Sequence, residues 1–207
     1  DDVLAEIFIN YPNGLTPDIR SIDKVLKKYA TKSSGKWIYK GDTIEKNISR
    51  HTEVIYEISK IGKKLGYKIY IGKREQSEIF QGKKLYEIAD LRRIANQKYE
   101  RERIERIEMI DIIWLDDCEE IRYIFEVENT TNFSDSIIRG SNINKDIPKI
   151  LVIPEERENE FLSLSDPMFL NNFKEYSWKY ILYDEIHKLS NSSKLNEINL
   201  DNFWRAR

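Results

Sequence analysis

The chain has 207 residues, enough to bury one full core beside a small accessory module. With 40 % hydrophobic and 12 % aromatic residues it is too apolar for a disordered chain, although 34 % of it is charged. The net charge of −2 hides an asymmetry: residues 1–100 hold 20 Lys+Arg against 14 Asp+Glu, and residues 101–207 hold 14 against 22.

A basic half that holds a polyanion and an acidic half that presents carboxylates would give this pattern; so would unevenly solvated faces on a Lys- and Glu-rich protein. One cysteine, Cys118, excludes an internal disulfide and any Cys-rich zinc site, and two histidines, His51 and His187, leave little for a His-based one. There is no G-x-x-x-x-G-K-[ST] or G-x-G-x-x-G loop, so NTPase and dinucleotide chemistry lack support. No apolar run approaches the roughly 18 residues of a membrane span, and no segment has the layout of an export signal. A cytoplasmic protein without membrane contact is the expectation. The chain opens Asp1-Asp2 rather than with Met, as a piece of a longer protein would.

Residues 1–46 read as a small α+β module. Thr16-Pro17-Asp18 starts a helix, Ile19, Ile22, Val25, Leu26 and Tyr29 follow helical spacing, and Ser33-Ser34-Gly35 turns into a strand at 36–40. Helix, turn and strand with scattered lysines fit a winged-helix-like module or a generic extension equally well. The main domain, 47–207, opens with a long helix. Its stripe of Ile48, Val54, Ile55, Ile58, Ile61 and Leu65 includes His51, which reads as a core histidine; Glu57 falls on the stripe's border. Gly66 is placed to end the helix. A strand at 68–72 precedes Lys73-Arg74, and the charged stretch 83–106, with Lys83-Lys84, reads as helical. Two strands follow, 108–115 and 121–128, then a helix ending near Gly140. Apolar strands at 149–154 and 178–183 flank a helical segment, which implies a right-handed crossover onto one sheet.

Chemistry concentrates in Ile110-Asp111-Ile112-Ile113-Trp114 and Phe125-Glu126-Val127-Glu128. Asp111 interrupts a strand that otherwise reads as buried on both faces, where a lone carboxylate must be paired or bound to a cation. Glu126 and Glu128 are two apart and so point to one side of the sheet. A hairpin centred between Cys118 and Glu119 sets Asp111 opposite Glu126, with Cβ atoms about 4.5–5.5 Å apart. Three carboxylates on one patch repel unless protons or a cation intervene. Hard oxygen ligands suit Mg²⁺, which activates water and neutralises phosphodiester charge, and Glu128 is placed to position or deprotonate that water. The bland alternative has Glu128 as a solvated strand exit and Asp111 held by an Arg such as Arg139.

These segments, with Asn129-Thr130-Thr131, Ile138-Arg139-Gly140-Ser141-Asn142-Ile143 and Leu151-Val152-Ile153-Pro154-Glu155-Glu156-Arg157, resemble the PD-(D/E)XK restriction endonuclease-like superfamily. Within it they look like the nuclease domains of prokaryotic restriction–modification and defence proteins. The likeness covers roughly 47–185. It implies a mixed central sheet flanked by helices and a Mg²⁺-dependent DNA endonuclease, with Mn²⁺ as a substitute. Asp111, Glu126 and the Val127 carbonyl would be metal ligands, and Glu57 would be the helix carboxylate that joins them. Lys73, Arg74, Lys83, Lys84 and Arg139 are the candidate DNA contacts. Ile110 stands in place of the motif's Pro and Glu128 in place of its Lys. The second departure leaves three outcomes: a working Glu, a cationic role moved to Arg139, or a nuclease fold that binds DNA or positions a partner without cutting. A homodimer and a fused or associated DNA methyltransferase are the protein partners this reading would bring.

Overall fold

A computed structural model describes residues 22–23, 26–27, 29–33, 36–39, 41–94, 99–129, 133–195 and 199–207, the side chains of 33, 36, 38, 39, 41–49 and 201 excepted. By internal contacts the chain divides into two units, Asp1–Lys46 and Asn47–Arg207. In the first, β1 (Ala30–Ser33) and β2 (Lys36–Tyr39) form an antiparallel pair with Ser33 opposite Lys36. The strand expected at 36–40 is thus one arm of a hairpin. The expected helix start Thr16-Pro17-Asp18, and Ser34-Gly35 of the turn, lie outside the described residues.

Helix α1 (Gly41–Lys64) starts earlier than the sequence pattern implied. Val54, Ile55, Ile58 and Ile61 are buried, which is the stripe expected from their spacing. Gly66, at φ +87°, ends the helix in the left-handed region, with Tyr67 N–H donating to the Gly62 carbonyl at 2.9 Å. Strand β3 (Lys68–Ile71) follows, then a 3₁₀ turn at Glu75–Ser77 and a short hairpin of β4 (Ile79–Phe80) and β5 (Lys83–Lys84). Here the structure corrects the helix expected over 83–106. Gln81 and Gly82 both have positive φ, the conformation of a tight two-residue hairpin turn, and Lys83-Lys84 is a strand. Only α2 (Arg101–Ile107) of that stretch is α-helical among the described residues.

Strands β6 (Ile112–Leu115) and β7 (Ile121–Val127) come next, then α3 (Phe133–Gly140), β8 (Lys149–Ile153), α4 (Glu158–Ser163), α5 (Pro167–Glu175), β9 (Trp178–Leu182) and α6 (Tyr183–Ser190). The five-stranded sheet runs β3-β6-β7-β8-β9. Its first three strands are antiparallel and the last two joins are parallel. Each parallel join needs a crossover, supplied by α3 and by α4–α5. Helices flank a mixed sheet, which is the restriction endonuclease-like arrangement.

Alternation along the strands feeds two cores, one per face. Ile112, Trp114, Phe125 and Val127 pack with α1 and α6; Ile113, Leu115, Ile124 and Leu151 pack with α3, α4 and α5. Lys149, fully buried at the start of β8, donates to the Asn144 and Ile147 carbonyls at 2.7 and 2.8 Å, and burial brings its ammonium down to about 8. Among the described residues no helix is long and apolar enough to cross a membrane.

The seat of α1 on the sheet depends on Gly62. A Cβ there would lie 2.6 Å from both Trp114 Nε1 and Ile69 Cδ1. Gly62→Ala should therefore destabilise the protein by about 1–3 kcal/mol, against the gain Ala brings to an ordinary helix site. Urea unfolding midpoints compare the two directly.

Candidate functional site

Strand β6 starts at Ile112, and Asp111 is the residue before it. The register Ile112↔Phe125, Ile113↔Ile124 and Trp114↔Tyr123, continued by one residue, sets Asp111 level with Glu126. A bulge between Trp114 and Leu115 takes up the difference at the loop end, away from the carboxylates. Asp111 is 5 % exposed, Glu126 0 % and Glu128 1 %. Three carboxylates are thus withdrawn from water at one end of two adjoining strands.

Each has a protein partner. Asp111 Oδ2 accepts the Val127 N–H at 2.7 Å, which ties the start of β6 to the end of β7. Its carbonyl accepts from Gly72 N–H at 2.9 Å, which ties it to the residue after β3. Glu126 is gripped by Arg139 of α3, whose Nε lies 3.0 and 3.1 Å from the two carboxylate oxygens while Nη2 bonds Oε2. Ser136 Oγ donates to Glu128 Oε1 and receives Arg139 Nη2 at 3.1 Å; that nitrogen is 3.7 Å from Glu128 itself. Arg139, a candidate DNA contact by sequence, is therefore the internal counter-ion of the acidic set. The alternative of an Arg holding Asp111 is not what forms: the guanidinium takes Glu126.

On α1, His51 reaches this end of the sheet, with Nε2 3.9 Å from Asp111 Oδ2, a charge contact rather than a hydrogen bond. His51 is thus a site neighbour as well as a member of the helix stripe. Glu57 goes elsewhere. Six residues carry it about 9 Å further along the helix, and its Oε1 lies 2.8 Å from His187 Nδ1 on α6. Lys73 is engaged with Glu108, whereas Arg74, Lys83 and Lys84 are exposed. Sequence reasoning missed Glu75, Tyr183 and Ser136. Glu75 follows β3 by a few residues, and Tyr183 opens α6 directly after β9. Only the pairing of these strands with their neighbours brings them near Asp111, and no local motif marks either.

Electrostatics follow from this burial. Burial, then the Asp111 charge, raises Glu126 well above the usual carboxylate range, and Arg139 only partly opposes them. Burial and the Asp111 charge likewise lift Glu75 to about 7. Burial pulls the His51 imidazole down, but Asp111, Glu75 and Glu128 more than reverse this, and the net direction is up. Burial, reinforced by Asp111 and Glu128, pushes the Tyr183 phenol up.

The donor chemistry fits a hydrated divalent cation. Mg²⁺ is commonly held by one or two carboxylates and keeps several waters; the opposed Asp111 and Glu126 would be the carboxylates to hold it, and buried Glu75 Oε2 has no hydrogen-bond partner among the described residues. An all-protein cage does not fit: among the described residues no three His, Cys, Asp or Glu side chains converge as a metal cluster.

Groups raised in the folded state bind protons more tightly there than in the unfolded chain. The stability they contribute is complete below the unfolded pKa and is lost as pH climbs through the folded value. Glu75 sets the window at about 4.5 to 7, with Glu126 and His51 acting in the same direction. The melting temperature of the metal-free protein should fall between about pH 5 and pH 8, and thermal melts in EDTA across that range measure the slope.

A family model described as the type II restriction enzyme NmeDI C-terminal domain matches residues 37–203. The type II restriction enzyme NmeDI of Neisseria meningitidis serogroup C is 29 % identical over 161 residues, covering 70 % of this chain and 44 % of that protein. The chain therefore spans less than half the length of this curated relative. No solved structure matches. The matched range contains α3, every strand of the five-stranded sheet and every carboxylate described above. The chain belongs to the family of the NmeDI C-terminal domain of type II restriction enzymes.

Proposed function

We propose that this chain is the catalytic domain of a Mg²⁺-dependent DNA endonuclease of the PD-(D/E)XK kind, acting in restriction or a related defence. The observation that carries the reading is the buried pair Asp111 and Glu126, level with each other on adjoining strands, in a chain of a restriction-enzyme family. Asp111, Glu126 and the Val127 carbonyl would hold the ion, with Mn²⁺ as a substitute. When bound, the ion supplies charge neutralisation at the phosphodiester and a more acidic water.

The protein's own groups do the rest. Glu128, fixed by Ser136, orients the attacking water and takes up its proton. Arg139 must leave Glu126 for that carboxylate to serve as a ligand; the freed guanidinium then has a phosphate oxygen as its natural partner. His51 balances charge beside Asp111. Exposed Arg74, Lys83 and Lys84, with Lys73, contact the DNA backbone and fix position without reading sequence. Cutting both strands of a duplex takes two such sites, so a homodimer fits this reading.

Plasmid incubated with the chain and Mg²⁺ should be nicked, and Asp111→Asn and Glu126→Ala should each slow nicking by at least about 100-fold. Equal nicking by wild type and both variants, or none by wild type on several DNA substrates, would refute the proposal. A second reading, a nuclease fold that binds DNA without cutting, draws on the two-pronged Arg139–Glu126 pair and on Glu128 standing where the motif has Lys. It expects DNA binding that Asp111→Asn leaves intact and no nicking at all.

A further inference from the structure

Among the described residues, two polar atoms beside the site have no hydrogen-bond partner: Glu75 Oε2 and the Tyr183 hydroxyl. Glu75 opens the 3₁₀ turn after β3. The β3–β6 register, with Ile71 opposite Ile112, brings Gly72 level with Asp111. Glu75 N–H bonds back to the Gly72 carbonyl at 3.0 Å, which curls the turn over Gly72. A Cβ at position 72 would lie 2.5 Å from Glu75 Oε2 and 2.6 Å from the Ile110 carbonyl oxygen. Glycine at 72 therefore leaves the room that this carboxylate fills, against the strand end that carries Asp111.

A buried carboxylate oxygen with nothing to accept from costs the fold free energy. Buried polar groups lacking a protein partner generally find one in bound water or a ligand. The Tyr183 hydroxyl is an independent sign of the same kind. Tyr183 is 3 % exposed, it follows β9 at the sheet end where Ile181, Val152 and Val127 lie side by side, and its O–H has no acceptor among the described residues. An orphaned acceptor and an orphaned donor at one set of carboxylates mark positions for water rather than for packed side chains.

We propose that Glu75 is a further positioning residue of the site, its Oε2 accepting a hydrogen bond from a water on the cation held by Asp111 and Glu126. The inference rests on the metal-dependent reading above. It suits an ion that keeps its waters, because a carboxylate reaching one of them acts without coordinating directly. Partners of this outer kind typically account for 10–100-fold in metal affinity. Glu57, the carboxylate that the family resemblance would bring to the ion, is bonded to His187 instead.

Mn²⁺ titration calorimetry on the metal-free chain, with wild type, Glu75→Gln and Asp111→Asn, tests this alongside thermal melts in EDTA. Glu75→Gln keeps the size of the side chain and removes its charge. The expected result is Mn²⁺ affinity lower by about 10-fold or more, with a melting temperature unchanged or higher, since one like charge has left a buried acidic set. A lower melting temperature, or a variant that no longer folds, would assign Glu75 to the fold and overturn the proposal. So would unchanged affinity in Glu75→Gln while Asp111→Asn abolishes binding, an outcome that leaves the metal-dependent reading standing. Absence of Mn²⁺ binding by the wild type would remove that reading and this inference together.

Discussion

The two-pronged bond between Arg139 and Glu126 is the contact that lets this sheet end exist as drawn. Glu126 is fully buried between Phe125 and Val127, with Asp111 level with it and Glu128 two residues on. Without a cation nearby, that many carboxylates out of water would be neutralised by protons or driven apart. The guanidinium supplies the charge in fixed geometry, with both carboxylate oxygens engaged. Its seat in turn depends on the end of α3, where Gly140 lies so close to Trp178 that a Cβ would collide with its ring. Helix position, arginine reach and carboxylate charge are therefore one linked arrangement.

Such a pair stabilises less than its geometry suggests, because both ions have been stripped of water. Its value is better expressed as an exchange. On the metal-dependent reading, a divalent ion at Asp111 and Glu126 would compete with Arg139 for the Glu126 oxygens, and a phosphate arriving with it would offer the arginine another anion. Metal and substrate would then favour each other's binding through a side chain that touches both, a coupling that needs no movement of the sheet.

The register of the β6–β7 hairpin could be read from the sequence because it depends on short-range facts: two apolar runs, a polar loop and the alternation of Glu126-Val127-Glu128. The parallel strands β8 and β9 were equally visible as apolar runs. Helix α1 shows where such reading ends. A helical stripe fixes the angle of each residue about the axis, but not its height against the sheet. That height is set by the close approach of Gly62 to Trp114, so His51 reaches Asp111 while Glu57 meets His187. The stretch 83–106 misled for another reason. Lys, Arg, Glu and Ala are good helix formers, yet the Gln81-Gly82 turn and the pairing of Lys83-Lys84 with Ile79-Phe80 take precedence locally. Glu75 was out of reach because only the β3–β6 pairing brings its turn beside Asp111.

On the metal-dependent reading Asp111 would have two occupations with different chemical requirements. Receiving the Val127 N–H takes any carbonyl-type oxygen, whereas attracting a cation takes a full negative charge. An amide at this position meets the first demand and fails the second. If that reading holds, selection for a folded protein would pass D111N unseen, and a lineage released from the need to cut could carry that change while keeping the whole fold.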